Sequence, residues 1–397
     1  MSKVMTAAAL CAVGAEKAVS NEIRKLGLSI CESGFGRVRF MADLCGIYRT
    51  LIGLRAADRV LLETAFFPAA DFDALFEGAL SVAWEDYIPR GAGFTVTKVR
   101  TNRSALRAET SVQAIVHKAA AERLCGKWGL RRLPEDGENA EVRVYIEKDK
   151  VSLLLDLSGE PLFKRGYRTE GGPAPLRETT AAALVLLSGW KRKYPLYDPF
   201  CGSGTIAIEA AMYAWDMAPG LGRRFALDHL LISDKKTDRD VRAEFYSRIV
   251  PGRLIRISGS DADKKSVQLS ETNMEKVFAC ARKGPPDSGG ALRAGTFKTP
   301  QFRMIPMEEA KAPVYEGEDS EGFIITNPPY GKRLGTPEAS EEIYKNMQGI
   351  SARFPGWKLV LVTDHPGFES FFGKQADSCR EITNGAIQSY MYQYERL

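Results

Sequence analysis

Asp198-Pro199-Phe200-Cys201-Gly202-Ser203-Gly204-Thr205 joins a short apolar strand, Leu196 to Asp198, to a helix predicted over Thr205 to Ala214. Gly202 and Gly204 permit a tight turn and let a ligand approach the backbone with no Cβ in the way. The N–H groups opening the helix favour a negative group such as a carboxylate. Around this turn, strands and helices alternate: helix Glu178 to Ser188, strand Leu254 to Ser258, helix Lys264 to Phe278, then strands Phe302 to Ile305, Phe323 to Thr326 and Lys358 to Thr363. Such alternation predicts a parallel, doubly wound sheet with ligands outside the carboxyl ends of its strands. The turn also fits a loose G-x-G-x-x-A nicotinamide pattern, with Ala207 last. Asp198 ahead of the turn, crowding by Ser203 and Thr205, and no acid ending a strand about 20 residues on argue against that reading.

An acid does end the next strand, at Gly259-Ser260-Asp261-Ala262-Asp263. Asp261 is placed to accept hydrogen bonds from both ribose hydroxyls of a nucleoside cofactor, whereas Asp263 reads as the cap of the following helix. Asn327-Pro328-Pro329-Tyr330 follows the apolar strand Phe323 to Thr326. Two prolines cannot continue a ladder, so the strand stops there with its end held rigidly. The Asn327 side-chain carbonyl and the Pro328 backbone carbonyl could accept both hydrogens of an exocyclic amine and aim its lone pair at a methyl donor. Tyr330 could stack on the base face.

The first ~65 residues read as β-α-β-α-β, a small ferredoxin-like unit ending near Pro68: strand Thr6 to Ala12, helix Glu16 to Leu26, strand Arg37 to Met41, helix Leu44 to Leu54, strand Val60 to Phe67. A second unit holds helix Phe72 to Leu80, strand Phe94 to Val99, helix Ser111 to Cys125, a turn at Pro134 to Gly137, and strands Val142 to Glu147 and Val151 to Leu157 around a hairpin turn. Ser158 to Pro175 has linker composition, and Lys283 to Gly295 reads as a mobile surface loop.

Composition excludes several classes. No apolar run approaches the ~20 residues of a membrane-spanning helix. Met1 to Gly14, with Lys3 before an apolar stretch, has the outline of a secretion signal, but a first strand followed by a helix accounts for it better. Seven cysteines without a C-x-x-C pair, and three histidines with none four apart, give no metal-ligand spacing and suit a reducing cytoplasm. The net charge of +5 is modest, yet Arg90 to Arg132 holds ten Lys or Arg against two acids, Glu109 and Glu122. That excess suits phosphate contacts, or a solvated helix face.

Asn327 to Tyr330 resembles the N/D-P-P-Y/F/W motif of amino-methyltransferases. Leu157-Ser158-Gly159, Lys164-Arg165-Gly166-Tyr167-Arg168, Ala174-Pro175-Leu176-Arg177-Glu178, the glycine turn and Asn327 to Gly335 together resemble the THUMP-domain RNA methyltransferases of the bacterial RlmL/YpsC-type group, often labelled N6-adenine DNA methylases. The resemblance covers nearly the whole chain. It implies a ferredoxin-like segment at 1–67, a THUMP RNA-binding domain at 68–158, a linker at 159–175 and a Rossmann-like domain dependent on S-adenosylmethionine (SAM) at 176–397. It implies SAM contacts from Asp198, Pro199, Cys201, Gly202, Ser203, Gly204, Thr205 and Asp261, with Glu178 closing the methionine end. Asn327, Pro328, Pro329 and Tyr330 would be catalytic.

RNA contacts would come from Arg100, Arg103, Arg107, Lys118, Arg131, Arg132, Lys164 and Arg165. The implied product is guanine N2-methylated large-subunit ribosomal RNA, made with no metal, membrane or obligate protein partner. Pro306-Met307-Glu308-Glu309 departs from the family pattern where an acid or polar residue often meets the SAM adenine; Met307 could pack on that ring. Members with a second methyltransferase domain fused at the C-terminus are longer, and this chain carries the first. N6-adenine or N4-cytosine DNA methylation uses the same tetrapeptide, as does glutamine methylation; a non-catalytic ribosome-assembly factor is the alternative of a different class.

Overall fold

The computed structural model describes residues 3–134, 137–168, 176–282, 297–314, 321–329, 337–385 and 387–397. The N-terminal part comprises β1 (Met5–Cys11), α1 (Glu16–Lys25), β2 (Ser29–Gly34), β3 (Arg37–Ala42), α2 (Leu44–Gly53), β4 (Ala57–Pro68), α3 (Phe72–Ser81), β5 (Gly93–Asn102), α4 (Glu109–Trp128), β6 (Asn139–Glu147) and β7 (Lys150–Asp156). All seven strands form one sheet in the order β2-β3-β1-β4-β7-β6-β5. The long β4 pairs antiparallel with both β1 and β7, which fuses the two units read from the sequence into one sheet.

The first unit is β-α-β-β-α-β, not β-α-β-α-β. The unforeseen β2 is a largely exposed edge strand, Ser-Ile-Cys-Glu-Ser-Gly, with no apolar alternation to announce it. Elsewhere the alternation is plain. On β3, Val38 and Phe40 are fully buried while Arg37 and Arg39 turn to the other face. On β6, Val142, Val144 and Ile146 alternate with Arg143, Tyr145 and Glu147. The helices bury Val19 and Ile23 of α1 and Val112 and Val116 of α4 with the apolar face, which leaves the opposite face to solvent. Lys148 and Asp149 both have positive φ, 51° and 59°, as a two-residue turn matched to strand twist requires.

The second sheet follows, with α5 (Glu178–Leu187), β8 (Leu196–Asp198), α6 (Thr205–Ala214), α7 (Lys235–Ser247), β9 (Ile257–Asp261), α8 (Lys264–Arg282), β10 (Gln301–Met304), β11 (Phe323–Thr326), α9 (Pro337–Asn346), β12 (Lys358–Thr363), β13 (Ser378–Asn384) and β14 (Ile387–Tyr394). Strand order is β10-β9-β8-β11-β12-β14-β13, parallel from β10 to β12, with β14 antiparallel to both β12 and β13. Eight residues of α5, Glu178 to Val185, are buried, as are Thr205 to Met212 of α6, so both helices are core elements rather than surface ones. The chain leaves β8 toward β9 on one side and returns through β11 on the other, and this switch point opens a crevice at the strand ends.

Two expectations change here. The strand expected at Leu254 to Ser258 lies at Ile257–Asp261, because Leu254 is 52% exposed and Ser258 to Ser260 carry the ladder to β8 and β10. The terminal hairpin β13–β14 was not anticipated. The turn residues Glu135 and Asp136, and the loop read at Lys283 to Gly295, lie outside the described residues.

Candidate active site

Three strand ends meet at the switch point, each bearing one of the polar residues singled out in the sequence. Asp198 ends β8 and is only 1% exposed. Its Oδ1 accepts from the Thr326 hydroxyl at 2.6 Å and from the Phe200 N–H at 3.1 Å. Burial pushes this carboxyl up to about 7, helped by the neighbouring Asp261 charge and opposed by those two hydrogen bonds. Asp261 ends β9; its Oδ2 accepts from the Gly202 N–H at 2.9 Å and its Oδ1 from the Asp263 N–H at 2.9 Å. Asp263 caps α8, accepting from the N–H groups of Lys265 and Ser266.

The glycine turn is held on all sides. Gly202 and Gly204 have φ of 52° and 79°, a region where a side chain is strained. A Cβ on Gly204 would stand 3.0 Å from Ser270 Cβ and 3.1 Å from Phe302 Cζ, whereas one on Gly202 meets nothing within 4 Å. Gly204 is thus needed for packing, and Gly202 leaves open room at the crevice. The Cys201 N–H bonds the Ser260 carbonyl at 2.9 Å, Ser270 Oγ donates to the Gly202 carbonyl at 2.7 Å, and Asn273 Nδ2 donates to the Ser203 carbonyl at 3.0 Å. Cys201 itself is buried, and burial pushes its thiol far up, so it is an inert spacer. Pro199 is buried beside it. Ser270 and Asn273, at helical spacing on α8, were missed because their partners are backbone carbonyls on another element.

Glu178, the first residue of α5, is 4% exposed. One carboxylate oxygen lies 3.6 Å from Arg168 Nε, and the other makes no hydrogen bond among the described residues. Burial holds its carboxyl above the usual range. Arg168 also donates to Thr205 Oγ1 at 2.6 Å and to the Leu176 carbonyl at 3.0 Å, tying the start of α5 to the start of α6. Ser203 Oγ lies 3.2 Å from Thr205 Oγ1.

At the end of β11, Asn327 is 7% exposed and its Oδ1 has no hydrogen-bond partner among the described residues. A buried acceptor left unmade costs about 1–3 kcal/mol, so this oxygen is an opening for a donor. Pro328 is buried and Pro329 half-buried; Tyr330 lies outside the described residues.

Met307 lies just past the end of β10, which pairs with β9 up to Asp261. It is 3% exposed and packs in a second core with Tyr197, Ile324 and Phe354, its sulfur 3.2 Å from Arg353 Nη2.

The basic residues divide by location. Lys118, Arg131 and Arg132 line one groove of about 970 Å³ beside α4 and β5. Arg100 pairs with Glu109 at 3.0 Å, and exposed Lys164 pairs with Glu160. Arg103 is exposed with a positive φ of 48°, and exposed Arg107 reaches the Ser104 carbonyl at 3.4 Å. Arg165 is corrected: its side chain is 2% exposed, 3.4 Å from Glu209 and bonded to the carbonyls of Leu162 and Arg55. It is an interior ion pair joining the linker to α6 and cannot meet a phosphate. Arg123, half-buried, and Lys127 are both drawn to Glu85.

Among the described residues no helix is long and apolar enough to cross a membrane, and no cluster of His, Cys, Asp and Glu is placed to hold a metal. The UPF0020 family, described as "RMKL-like, methyltransferase domain", matches residues 165–280 and 299–393. An RlmL ferredoxin-like domain matches 6–61 and a THUMP domain 69–156. "Putative RNA methyltransferase YpsC" of Bacillus subtilis (strain 168) is 34% identical over 99% of this chain and 96% of its own length. "Ribosomal RNA large subunit methyltransferase K/L" of Photobacterium profundum is 33% identical over 96% of this chain, which spans about half (51%) of that relative. Among solved structures, SMU.472, described as "a putative methyltransferase complexed with SAH", superposes with a TM-score of 0.83 at 32% identity, covering 100% of this chain and 99% of that one.

Proposed function

This chain belongs to the UPF0020 family of RMKL-like methyltransferases, and from that premise we propose that it methylates an exocyclic base amine in RNA, the N2 of guanine in large-subunit ribosomal RNA. Its methyl donor is S-adenosylmethionine. The observation that carries the amine reading is Asn327 Oδ1, a buried acceptor without a partner among the described residues, at the carboxyl end of a strand flanking the switch point.

The residues present suit the donor. The unpartnered Glu178 oxygen fits an ammonium, Asp261 keeps lone pairs for ribose hydroxyls beyond its two backbone N–H bonds, and Gly202 leaves the turn open. Backbone groups from Asp198 through Pro199, Cys201, Ser203, Gly204 and Thr205 would hold the rest, with Met307 beside the adenine. SAM supplies an electrophilic methyl on a sulfonium that departs as a neutral thioether.

Asn327 and the Pro328 carbonyl accept the two amine hydrogens, which fixes the nitrogen lone pair in line and supplies the positioning on which the rate depends. Pro329 stiffens the strand end, and Tyr330 stacks on the extruded base. No strong base is required ahead of attack, because the amine proton becomes acidic only as the new bond forms.

The RNA half of the reading rests on the THUMP match and on relatives named for RNA methylation, one of them for ribosomal RNA. We divide the chain at 1–67, 68–158, 159–175 and 176–397. Arg100, Arg103, Arg107, Lys118, Arg131, Arg132 and Lys164 meet phosphate.

Incubating the protein with labelled SAM and unmodified large-subunit ribosomal RNA should yield labelled N2-methylguanosine. Label on duplex DNA and none on RNA would keep the chemistry and overturn the substrate. Asp261→Ala should weaken SAM binding by about 150-fold or more, the loss of two charge-assisted hydrogen bonds. Unchanged affinity in calorimetry would remove Asp261 from the ribose site.

A further inference from the structure

The open face of the first sheet is a second structured surface, of which the basic stretch Arg90 to Arg132 supplies only Lys98 and Arg100. Strand alternation directs Arg37, Arg39, Arg59, Lys98, Arg100 and Arg143, from four strands, into one groove of about 1030 Å³. In all, nine Lys or Arg line it against three acids, Glu32, Asp58 and Glu147. Several cations are braced by acids: Arg39 by Glu63 at 2.8 Å, Arg59 by Asp156 at 2.5 Å, Arg100 by Glu109 at 3.0 Å. Counting those three acids as well still leaves an excess of three positive charges. Burial, together with Arg100 and Arg143 nearby, holds the Lys98 ammonium below its usual range. Such crowding of like charge in a folded groove is repaid by an anionic occupant.

Aromatic rings are interleaved with the cations. The Arg39 guanidinium sits 5.3 Å over the Phe66 ring, and Arg37 sits 5.3 Å over Tyr145. Phe66 is nonetheless 51% exposed. Phe35, at the tip of the β2–β3 hairpin on the groove rim, is 95% exposed and sits at φ 49°. A non-glycine residue in that region is strained, and a solvated phenyl ring returns nothing to the fold. At its far end the groove reaches Arg177, the residue before Glu178, so it runs from the hairpin tip to the threshold of the catalytic domain.

Resting on the RNA reading above, we infer that this face cradles a single-stranded segment of the substrate RNA, with Phe35 stacking on one of its bases. Cations alone would suit any polyanion. Exposed rings select a strand whose bases are free to stack, since a duplex hides its base faces. An acidic peptide would satisfy the charge but leave Phe35 without its partner.

The test is fluorescence anisotropy of the full chain with a labelled, non-self-complementary RNA of twelve nucleotides, across a salt series. Phe35→Ala should weaken binding about tenfold with the salt slope unchanged, and Phe35→Trp should restore it. Lys98→Gln with Lys150→Gln should lower the slope by about 1.4, two phosphate contacts' worth. Unchanged urea unfolding and circular dichroism in the same variants establish that they fold. Wild-type binding by both variants, or equally tight and equally Phe35-dependent binding of a twelve-base-pair duplex or an acidic peptide, would overturn the proposal. Methyl transfer to ribosomal RNA is scored separately. Transfer with an indifferent groove would sink this inference alone, whereas groove-dependent binding without transfer would sink the catalytic reading alone.

Discussion

Asn327→Ala should lower turnover on RNA by about 10³-fold, the scale of losing a preorganised polar contact to the reacting group. SAM affinity should stay within about twofold, because only interactions stronger in the transition state are removed. Asn327 Oδ1 is buried with no partner among the described residues. In the free protein that oxygen is destabilising, since the cost of desolvating it is unrepaid. Its value is realised when an amine donates to it and the nitrogen lone pair is thereby aimed. Alanine keeps the strand end, whose course is set by Pro328 and Pro329, and removes the aim.

RNA affinity, spread over many phosphates, should change little, so the loss falls on kcat rather than KM. Asn327→Asp keeps an acceptor but brings a charge to a position 7% exposed, and should retain more activity than alanine. Single-turnover rates with calorimetric SAM binding distinguish the cases. Equal loss of turnover and cofactor affinity would mean that Asn327 shapes the pocket and does not hold the amine.

How far these features could be read in advance depends on whether their determinants lie close together in the chain. The catalytic sheet was legible because β8, the glycine turn and α6 are contiguous, and because Asp261 and Asn327 each end an apolar strand. β2 was not legible, since an exposed edge strand has no buried face to impose a period on its residues. The start of β9 was misplaced for the converse reason: Leu254 looks like strand but is half exposed, while Gly259 looks like turn but is locked between β8 and β10, and Ser260 pairs with β10. Arg165 reads as basic surface until Glu209 arrives opposite it from 44 residues on. Met307 likewise has its place decided by Arg353. The groove could not be read as one surface, although Lys98 and Arg100 fall in the basic stretch, because its cations come from separate strands and share a face only once the sheet is assembled.

The buried Asp198 makes stability depend on pH in a direction opposite to that of most carboxylates. In the unfolded chain it loses its proton near pH 4, as an ordinary aspartate does, but in the folded chain only near pH 7. Between those values the folded state binds more protons than the unfolded one, so stability falls as pH rises. The penalty is absent below about pH 4 and fully developed above about pH 7, where the gap between the two values corresponds to about 4 kcal/mol.

Asp198→Asn should therefore match wild type near pH 4 and exceed it at pH 8 by an amount of that order, since the amide oxygen can still accept from Thr326 and Phe200. Urea unfolding of both proteins without SAM from pH 4 to 8 measures it. The difference between them isolates this residue from Glu178 and Glu22, whose carboxyls burial also raises. Parallel pH curves would show that Asp198 is ionised throughout and that its two hydrogen bonds outweigh its burial. Diverging curves would show that the fold tolerates a costly carboxylate at the strand end facing the crevice, a cost that a purely structural role gives no reason to retain and that a cationic cofactor beside it would relieve.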